Sequence, residues 1–384
     1  MVAGKITVVQ MLPDLESGGV ERGTLELGKY LSDGGHRSIV ISAGGRMVPQ
    51  LEKEGSRHLR WETGRKSPRC LQFILPLRRL LIEEKVDILH LRSRLPAWIG
   101  YLAWKSLPAD KRPCLVTTFH GFYSVNAYSA VMTKGQRIIA ISKTIGKHVH
   151  EAYKVAEDRI TVIYRGFDAG EFRPEAVAED RVEKLRLDWR LQGLKGPLIM
   201  LPARLTRLKG HDLFFNSLAL IRHLPWTAVC VGDIDPASSH PPELRKLVSE
   251  LTLENRVVFT GHCSDMPAAF MLADVVVSAS TKPEAFGRTL IEAQAMGKPV
   301  IATGHGGSLE VVKDGKTGWL VAPGNVSRFA AALGRAIENE DLREAFGCSG
   351  RRWVAKMFTS NRMCEKTVAL YDELISGRDA RRQR

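Results

Sequence analysis

The chain has 384 residues, 44% of them hydrophobic and 26% charged, with a formal net charge of +14. That length allows two domains with a core each, and the composition is that of an ordinary soluble protein. No apolar run reaches 18 residues, which excludes a membrane-spanning helix, and the opening MVAGKITVVQML reads directly as a strand, without the regions of a secretion signal.

In chain order, residues 6–11 form a first strand, which leads through Ser17, Gly18, Gly19, Val20, Glu21 and Arg22 into a helix with Leu25, Leu27, Tyr30 and Leu31 on its apolar side. Strand, glycine pair, helix makes room for an anion, because glycine allows close approach and the first helical N–H groups point at the charge. A plain turn explains a lone glycine pair equally well, and G-G-x-x-x-G is not the dinucleotide order G-x-G-x-x-G. Residues 37–42 are a second strand, 52–69 are basic and loop-like, and 71–83 are an amphipathic helix. That helix has Phe73, Ile74, Leu77, Leu80 and Leu81 on its apolar side, with Arg78 and Arg79 outward. After a strand at 86–91, the helix 96–104 carries Trp98, Tyr101 and Trp104, which read as core. The strand 115–119 delivers His120 at its carboxyl end, before a loop at 123–128. A strand at 137–141, a helix capped by Ser142 and running to Tyr153, and a strand at 160–164 lead to Arg165, Gly166, Phe167 and Asp168.

Residues 175–195 are a charged helical link to a second run of strands and helices. The strand 198–202 is followed by Ala203, Arg204, Leu205, Thr206, Arg207, Leu208, Lys209 and Gly210, and a helix opens at His211. Arg204 and Lys209 therefore converge on a helix N-terminus. A guanidinium fork and an ammonium point charge in such a place suit a diphosphate. Strands at 226–231 and 257–259 and helices at 243–251 and 266–272 precede a buried strand at 274–278. Glu284 sits in the next loop; a helix begins at Gly287 and stops at Gly297, a strand covers 299–303, and Gly304, Gly306 and Gly307 make a turn. Glu292 lies eight positions after Glu284, about two turns into that unit. Ionised carboxylates accept hydrogen bonds from sugar hydroxyls, and the backbone N–H groups around Phe286 and Gly287 open a helix and so receive an anion. After the strand at 318–321, residues 328–351 and 353–375 read as two further helices.

The run EAFGRTLIE from Glu284 to Glu292, with its flanking strand and glycine turn, resembles the Glu-x7-Glu signature of retaining glycosyltransferases of family 4 (glycosyl transferases group 1). The resemblance extends over residues 5–375 and is strongest in the second half. It implies an α/β protein of the GT-B fold, with two doubly wound Rossmann-like domains facing a cleft. Residues 1–178 would bind the acceptor and 179–352 the nucleotide sugar; 353–376 would cross back to pack on the first domain, and 377–384 would be a basic disordered tail. The implied reaction moves a sugar from a nucleoside diphosphate sugar to a hydroxyl acceptor with retention, by a front-face route in which the leaving phosphate takes the acceptor proton. The resemblance puts Gly18 and Gly19 beside the donor diphosphate, and His120 beside the transferred sugar as a transition-state stabiliser. Arg204 and Lys209 would neutralise the diphosphate. Glu284 would hold sugar hydroxyls, helped by the backbone at Phe286 and Gly287, and Glu292 would hold the ribose. No cofactor or metal is expected, since the two cations replace a divalent ion. The family's Asn-Gly-x-Asp junction departs here, with Tyr164 at a usual Pro and Arg165 at the Asn, so the role of Arg165 stays open.

The six cysteines show neither C-x-x-C nor metal-ligand spacing and read as thiols of a reducing cytoplasm. Between Lys53 and Arg112, 14 basic residues face 6 acidic ones. No aromatic platform or motif for nucleic acid accompanies them, which leaves an anionic membrane surface or a solvated face. With the membrane reading, the protein is cytoplasmic, peripheral on the inner face of the cytoplasmic membrane, and the acceptor is a lipopolysaccharide or lipid-linked glycan. The alternatives are a nucleotide-sugar epimerase or phosphorylase on the same fold, and a non-catalytic nucleotide-sugar-binding protein.

Overall fold

The computed structural model describes residues 4–382 except 17, 66, 194 and 234–239. Ser17 of the glycine-pair loop and the last two residues of the expected tail thus lie outside the described residues. The chain divides into two compact units, Met1–Gly166 with Ser360–Arg384, and Phe167–Thr359.

The first unit holds seven parallel strands: β1 (Thr7–Met11), β2 (Arg37–Ser42), β3 (Arg57–Arg60), β4 (Ile88–Leu91), β5 (Cys114–Phe119), β6 (Arg137–Ala140) and β7 (Ile160–Val162). Their order is β3-β2-β1-β4-β5-β6-β7. Strands β1, β4 and β5 are buried at every position, as expected where helices cover both faces of a parallel sheet. Ile6, Val8, Ile88, Val116 and Ile139 share one core with Leu27 and Leu31 of the helix Gly19–Asp33 and with Met363, Cys364, Leu370, Tyr371 and Ile375. The last five belong to the helix Ser360–Arg382. Polar contacts fix that helix as well: Tyr371 Oη lies 2.7 Å from His90 Nδ1, and Arg378 pairs with Asp87 at 3.2 Å.

The second unit holds six parallel strands: β8 (Leu198–Pro202), β9 (Thr227–Val231), β10 (Val257–Gly261), β11 (Val275–Ser278), β12 (Val300–Thr303) and β13 (Gly318–Val321). Their order is β10-β9-β8-β11-β12-β13. Its core joins the apolar strand residues to Phe214, Phe215, Trp226, Phe329, Leu333 and Phe346. Phe167 N–H donates to the Phe358 carbonyl at 2.9 Å, so the chain enters and leaves this unit side by side.

Several expected elements differ. The basic stretch 52–69 is not all loop: it contains the end of a helix, Val48–Lys53, and the edge strand β3. Its cations are largely in use. Arg57 binds Glu84 at 2.8 Å, Arg60 donates to the Ala43 carbonyl at 3.2 Å, and Arg65 pairs with Glu62 at 3.0 Å. The amphipathic helix starts later, at Ile74–Glu83, with Leu77 and Leu81 buried and Leu75 63% exposed. Arg78 is half-buried rather than outward. Trp98, Tyr101 and Trp104 are half-buried rather than core, and the indole N–H groups of Trp98 and Trp104 reach the carbonyls of Tyr128 and Pro113. The helix expected at 328–351 breaks at Asn339, whose side chain caps the next helix by accepting from Leu342 N–H at 2.8 Å. The helix expected at 353–375 breaks after Met357, and the expected disordered tail continues the last helix to Arg382.

Candidate active site

In the second unit the strand order reverses between β8 and β11. Their carboxyl ends lie side by side while the following loops diverge, which is where open parallel sheets receive ligands. From β8 the chain runs past Arg204 to the turn Arg207–Lys209, Gly210 and the helix His211–Leu220. Gly210 has φ +70°, and a Cβ there would lie 1.8 Å from the Ala279 carbonyl oxygen, so glycine alone lets the two loops pass this closely.

That approach brings Lys209 Nζ to 2.6 Å from Glu284 Oε1. Ser280 Oγ donates to the same carboxylate oxygen. The Ser280 carbonyl is in turn held at 2.8 Å by Thr303 Oγ1 and lies 2.8 Å from His305 Nε2. The backbone of Glu284 is fixed separately: its carbonyl accepts from Gly307 N–H at 2.8 Å, and a Cβ on Gly307 would meet the Phe286 carbonyl at 2.2 Å. Burial alone would raise the Glu284 carboxyl pKa, but the charge and hydrogen bond of Lys209, with the Ser280 hydroxyl and the His305 ring, hold it below the ordinary value. It is therefore ionised at neutral pH. Lys209, Ser280, Glu284 and Thr289 line one recess at the ends of β8 and β11.

Arg204 is exposed in the same loop as Lys209, and among the described residues its guanidinium has no partner. The helix Arg288–Ala295 starts from Gly287 at φ +100° with no side-chain cap among the described residues, and the first N–H groups of a helix are what an anion site uses. The Phe286 ring is 4% exposed and packs edge-on against Phe358 at 5.7 Å, leaving only its backbone for a ligand. Glu292 is buried, and its Oε1 accepts from Arg288 Nε at 2.8 Å. The carboxylate expected on a ribose is thus held by a cation one turn earlier, at the i,i+4 spacing that makes such pairs.

In the first unit the helix Gly19–Asp33 starts from Gly18 at φ +130°. A carboxylate oxygen of Glu21 lies 2.7 Å from where a Gly18 Cβ would stand. Glu21 holds the third helical position, from which such a side chain folds back over the helix start. Burial raises its pKa, and Asp14 adds to this against its own backbone N–H, Arg165 and Arg92. The glycine-pair cradle already holds a carboxylate of the chain itself.

His120 follows β5, and its Nδ1 lies 3.1 Å from Arg165 Nη2, which also donates to the Gly19 carbonyl at 2.7 Å. Arg165 is 6% exposed; a Cβ on Gly23 would lie 2.1 Å from its Nη1, so that glycine makes room for the guanidinium. His120 Nε2 is enclosed and, among the described residues, meets no acceptor. An enclosed N–H without a partner costs about 1–3 kcal/mol. Burial, followed by the charges of Arg165, Arg92 and His90, pushes the His120 pKa well below its ordinary value, so the ring is neutral at physiological pH.

Of the nine residues singled out from the sequence, the fold brings Lys209 and Glu284 into contact, keeps Arg204 in their loop, and places Glu292 on the adjoining helix. Gly19 and His120 meet at Arg165 in the other unit, where Gly18 starts the helix beside Glu21. Sequence reasoning passed over Ser280, His305, Arg288 and Glu21. Only the last two had a visible signal, as the i,i+4 and helix-start partners of residues already chosen.

Residues 17–171 match the family model "Glycosyltransferase Family 4", and residues 190–353 match "Glycosyl transferases group 1". A glycosyltransferase from Rickettsia africae is 35% identical, with a TM-score of 0.89 over 97% of this chain and 99% of that one. Anabaena Alr3699/HepE, solved with UDP-glucose, has a TM-score of 0.81 at 22% identity, covering 96% of this chain and 100% of its own. The N-acetyl-alpha-D-glucosaminyl L-malate synthase of Bacillus anthracis is 24% identical over 91% of this chain and 92% of its own. With the Rickettsia africae relative aligned at 35% identity along nearly its whole length, and a family model matched by each half, the chain belongs to the glycosyltransferases and has their two-unit GT-B fold.

Proposed function

We propose that the chain transfers a sugar from a nucleoside diphosphate sugar to a hydroxyl acceptor, with retention at the anomeric carbon. The observation that carries this reading is the contact of Lys209 with Glu284 at the strand-order reversal of the second unit. One recess there offers a cation for a phosphate and an ionised carboxylate for hydroxyls. The complex of Anabaena Alr3699/HepE with UDP-glucose supports the class of donor.

Arg204 and Lys209 neutralise the charge that develops on the leaving diphosphate. Preorganised charge of this kind is commonly the largest catalytic contribution. Glu284 spends one oxygen on Lys209 and Ser280 and keeps acceptor capacity for sugar hydroxyls. The backbone N–H groups around Phe286 and Gly287 add to the anion site, and Glu292 takes the ribose by exchanging its bond to Arg288 for the ring hydroxyls. The resemblance assigns His120 to the transferred sugar and Gly18 and Gly19 to the diphosphate, which would take the place that Glu21 holds at the helix start. As the anomeric carbon–phosphate oxygen bond breaks, the acceptor oxygen bonds to the same face, and its proton passes to the departing phosphate oxygen. Two cations at the diphosphate let this proceed with no divalent ion.

A cell-envelope acceptor fits the exposed apolar side chains Leu71 and Leu75 beside the exposed cations Arg69 and Arg79, a combination that seats a protein on anionic lipid. Among the described residues no helix is long and apolar enough to cross a membrane. The test of the donor class is thermal unfolding against a panel of nucleoside diphosphate sugars, followed by transfer assays. One or more of them should raise the melting temperature, since a ligand of the native state stabilises it, and should release free nucleoside diphosphate only with acceptor present. A panel without a shift overturns the reading; an interconverted sugar nucleotide replaces it with an epimerase.

A further inference from the structure

We propose that Arg165 is a positioning residue for His120: its Nη2 donates to Nδ1, fixes the ring proton on Nε2, and, once the atoms that enclose Nε2 here draw aside, presents that N–H to an acceptor oxygen of the donor sugar. The last clause rests on the function proposed above; the first two rest on geometry alone. A guanidinium has five donors and no acceptor, so the ring nitrogen 3.1 Å from Nη2 must be the unprotonated one. In a neutral imidazole the proton then belongs to Nε2. The ring is neutral, because burial and then the cations Arg165 and Arg92, with His90, oppose a second proton. Nε2 is the nitrogen that the described residues leave without an acceptor.

The guanidinium is held as a fixed part rather than a mobile side chain. It is gripped by the Gly19 carbonyl at 2.7 Å and touches the Met363 sulfur at 3.7 Å, in the space that Gly23 leaves open. The same Nη2 that orients His120 also holds the backbone where the glycine-pair helix begins. An Asn at this position, which the resemblance makes usual, has a shorter arm and an amide that can accept as well as donate. It would fix neither the reach nor the tautomer.

The test is the ring tautomer of His120, read by long-range 1H–15N correlation on the full-length protein at pH 7.5. The protein is compared with Arg165→Met, Arg165→Asn and Gly23→Ala, the last of which displaces the guanidinium without deleting it. The wild type should carry its proton on Nε2. The variants should lose that tautomer in favour of a mixture or of Nδ1–H. In transfer assays kcat should fall on the order of 10- to 100-fold, the range expected for one misdirected hydrogen bond to the reacting group. The donor KM should move less than about threefold, which separates orientation from binding. A wild-type ring protonated on Nδ1 overturns the proposal without any variant having to fold, and so does an unchanged tautomer in a folded Arg165→Met. The spectra need neither donor nor turnover. A chain that transfers no sugar therefore defeats the proposed function and the presentation to the donor, and leaves the tautomer assignment to stand or fall on its own measurement.

Discussion

Replacing Lys209 by alanine tests the second-unit site most sharply, because stability and transfer should part company. Nζ lies 2.6 Å from Glu284 Oε1, and at an effective dielectric constant of about 20 two unit charges at that distance attract by roughly 6 kcal/mol. Water reaches 32% and 21% of the two side chains, and both ions lose hydration when they pair, so the net loss of folding stability is about 1–3 kcal/mol. Most of that loss belongs to the carboxylate left behind, whose pKa must rise once only Ser280 and His305 oppose burial. Transfer should fall further, by about 3 kcal/mol or 100-fold, because the missing charge acts on the leaving phosphate. The assay pairs urea unfolding with kcat/KM for Lys209→Ala and for Lys209→Ala with Glu284→Gln. The second change removes the orphaned charge and should restore part of the stability and none of the rate. Turnover within about threefold of wild type in a folded Lys209→Ala, or transfer recovered by the double replacement, refutes the assignment.

Other expectations follow from the same geometry. Gly210→Ala should lower stability by more than about 1 kcal/mol and weaken donor binding, since the new Cβ meets the Ala279 carbonyl and drives Lys209 away; an unchanged urea midpoint would contradict the close passage of the loops. Glu292→Gln should weaken nucleoside diphosphate binding roughly 10-fold in calorimetry, as one charge-assisted contact to the ribose is lost, and equal affinity would remove the ribose role. His211 is buried at the start of its helix, and burial, then His240 and Lys209, lower its pKa to about 4. The unfolded imidazole takes a proton near pH 6.5 that the folded one refuses until about pH 4, so stability should fall across that window on acidification. His211→Phe should flatten this part of the urea-midpoint profile, and an identical profile would clear His211 of the effect. Co-sedimentation with vesicles should need anionic lipid and fade with salt; binding to neutral vesicles alone would set the membrane surface aside.

How far the sequence revealed these features follows from where each signal resides. The central strands and the Glu284-to-Glu292 segment were readable because parallel strands under helices are continuously apolar and the loop punctuation is glycine. The edge strand β3 was hidden because RHLR has no buried face to betray a period; only its ladder with β2 makes it a strand. The break at Asn339 was available, since Asn followed by Glu340 and Asp341 is a helix start, but a continuous helical pattern masked it. Arg165 could not be read at all. A lone Arg after a strand is ordinarily solvated, and its burial depends on Gly23, His120 and Met363, which lie up to 198 positions away. Lys209 and Glu284 were chosen separately from local patterns, whereas their contact is a product of strand order.

The helix Ser360–Arg382 supplies five side chains to the core of the first unit, although the whole of Phe167–Thr359 precedes it in the chain. At a ribosomal pace of about 5–20 residues per second, the amino-terminal sheet emerges and then waits roughly 10–40 seconds for its missing wall. The segment that forms the second unit is contiguous and can close as soon as it is out. The order of completion on the ribosome therefore inverts the order of synthesis, and a fragment ending before Ser360 would leave Val8, Ile88 and Val116 facing water and prone to aggregate.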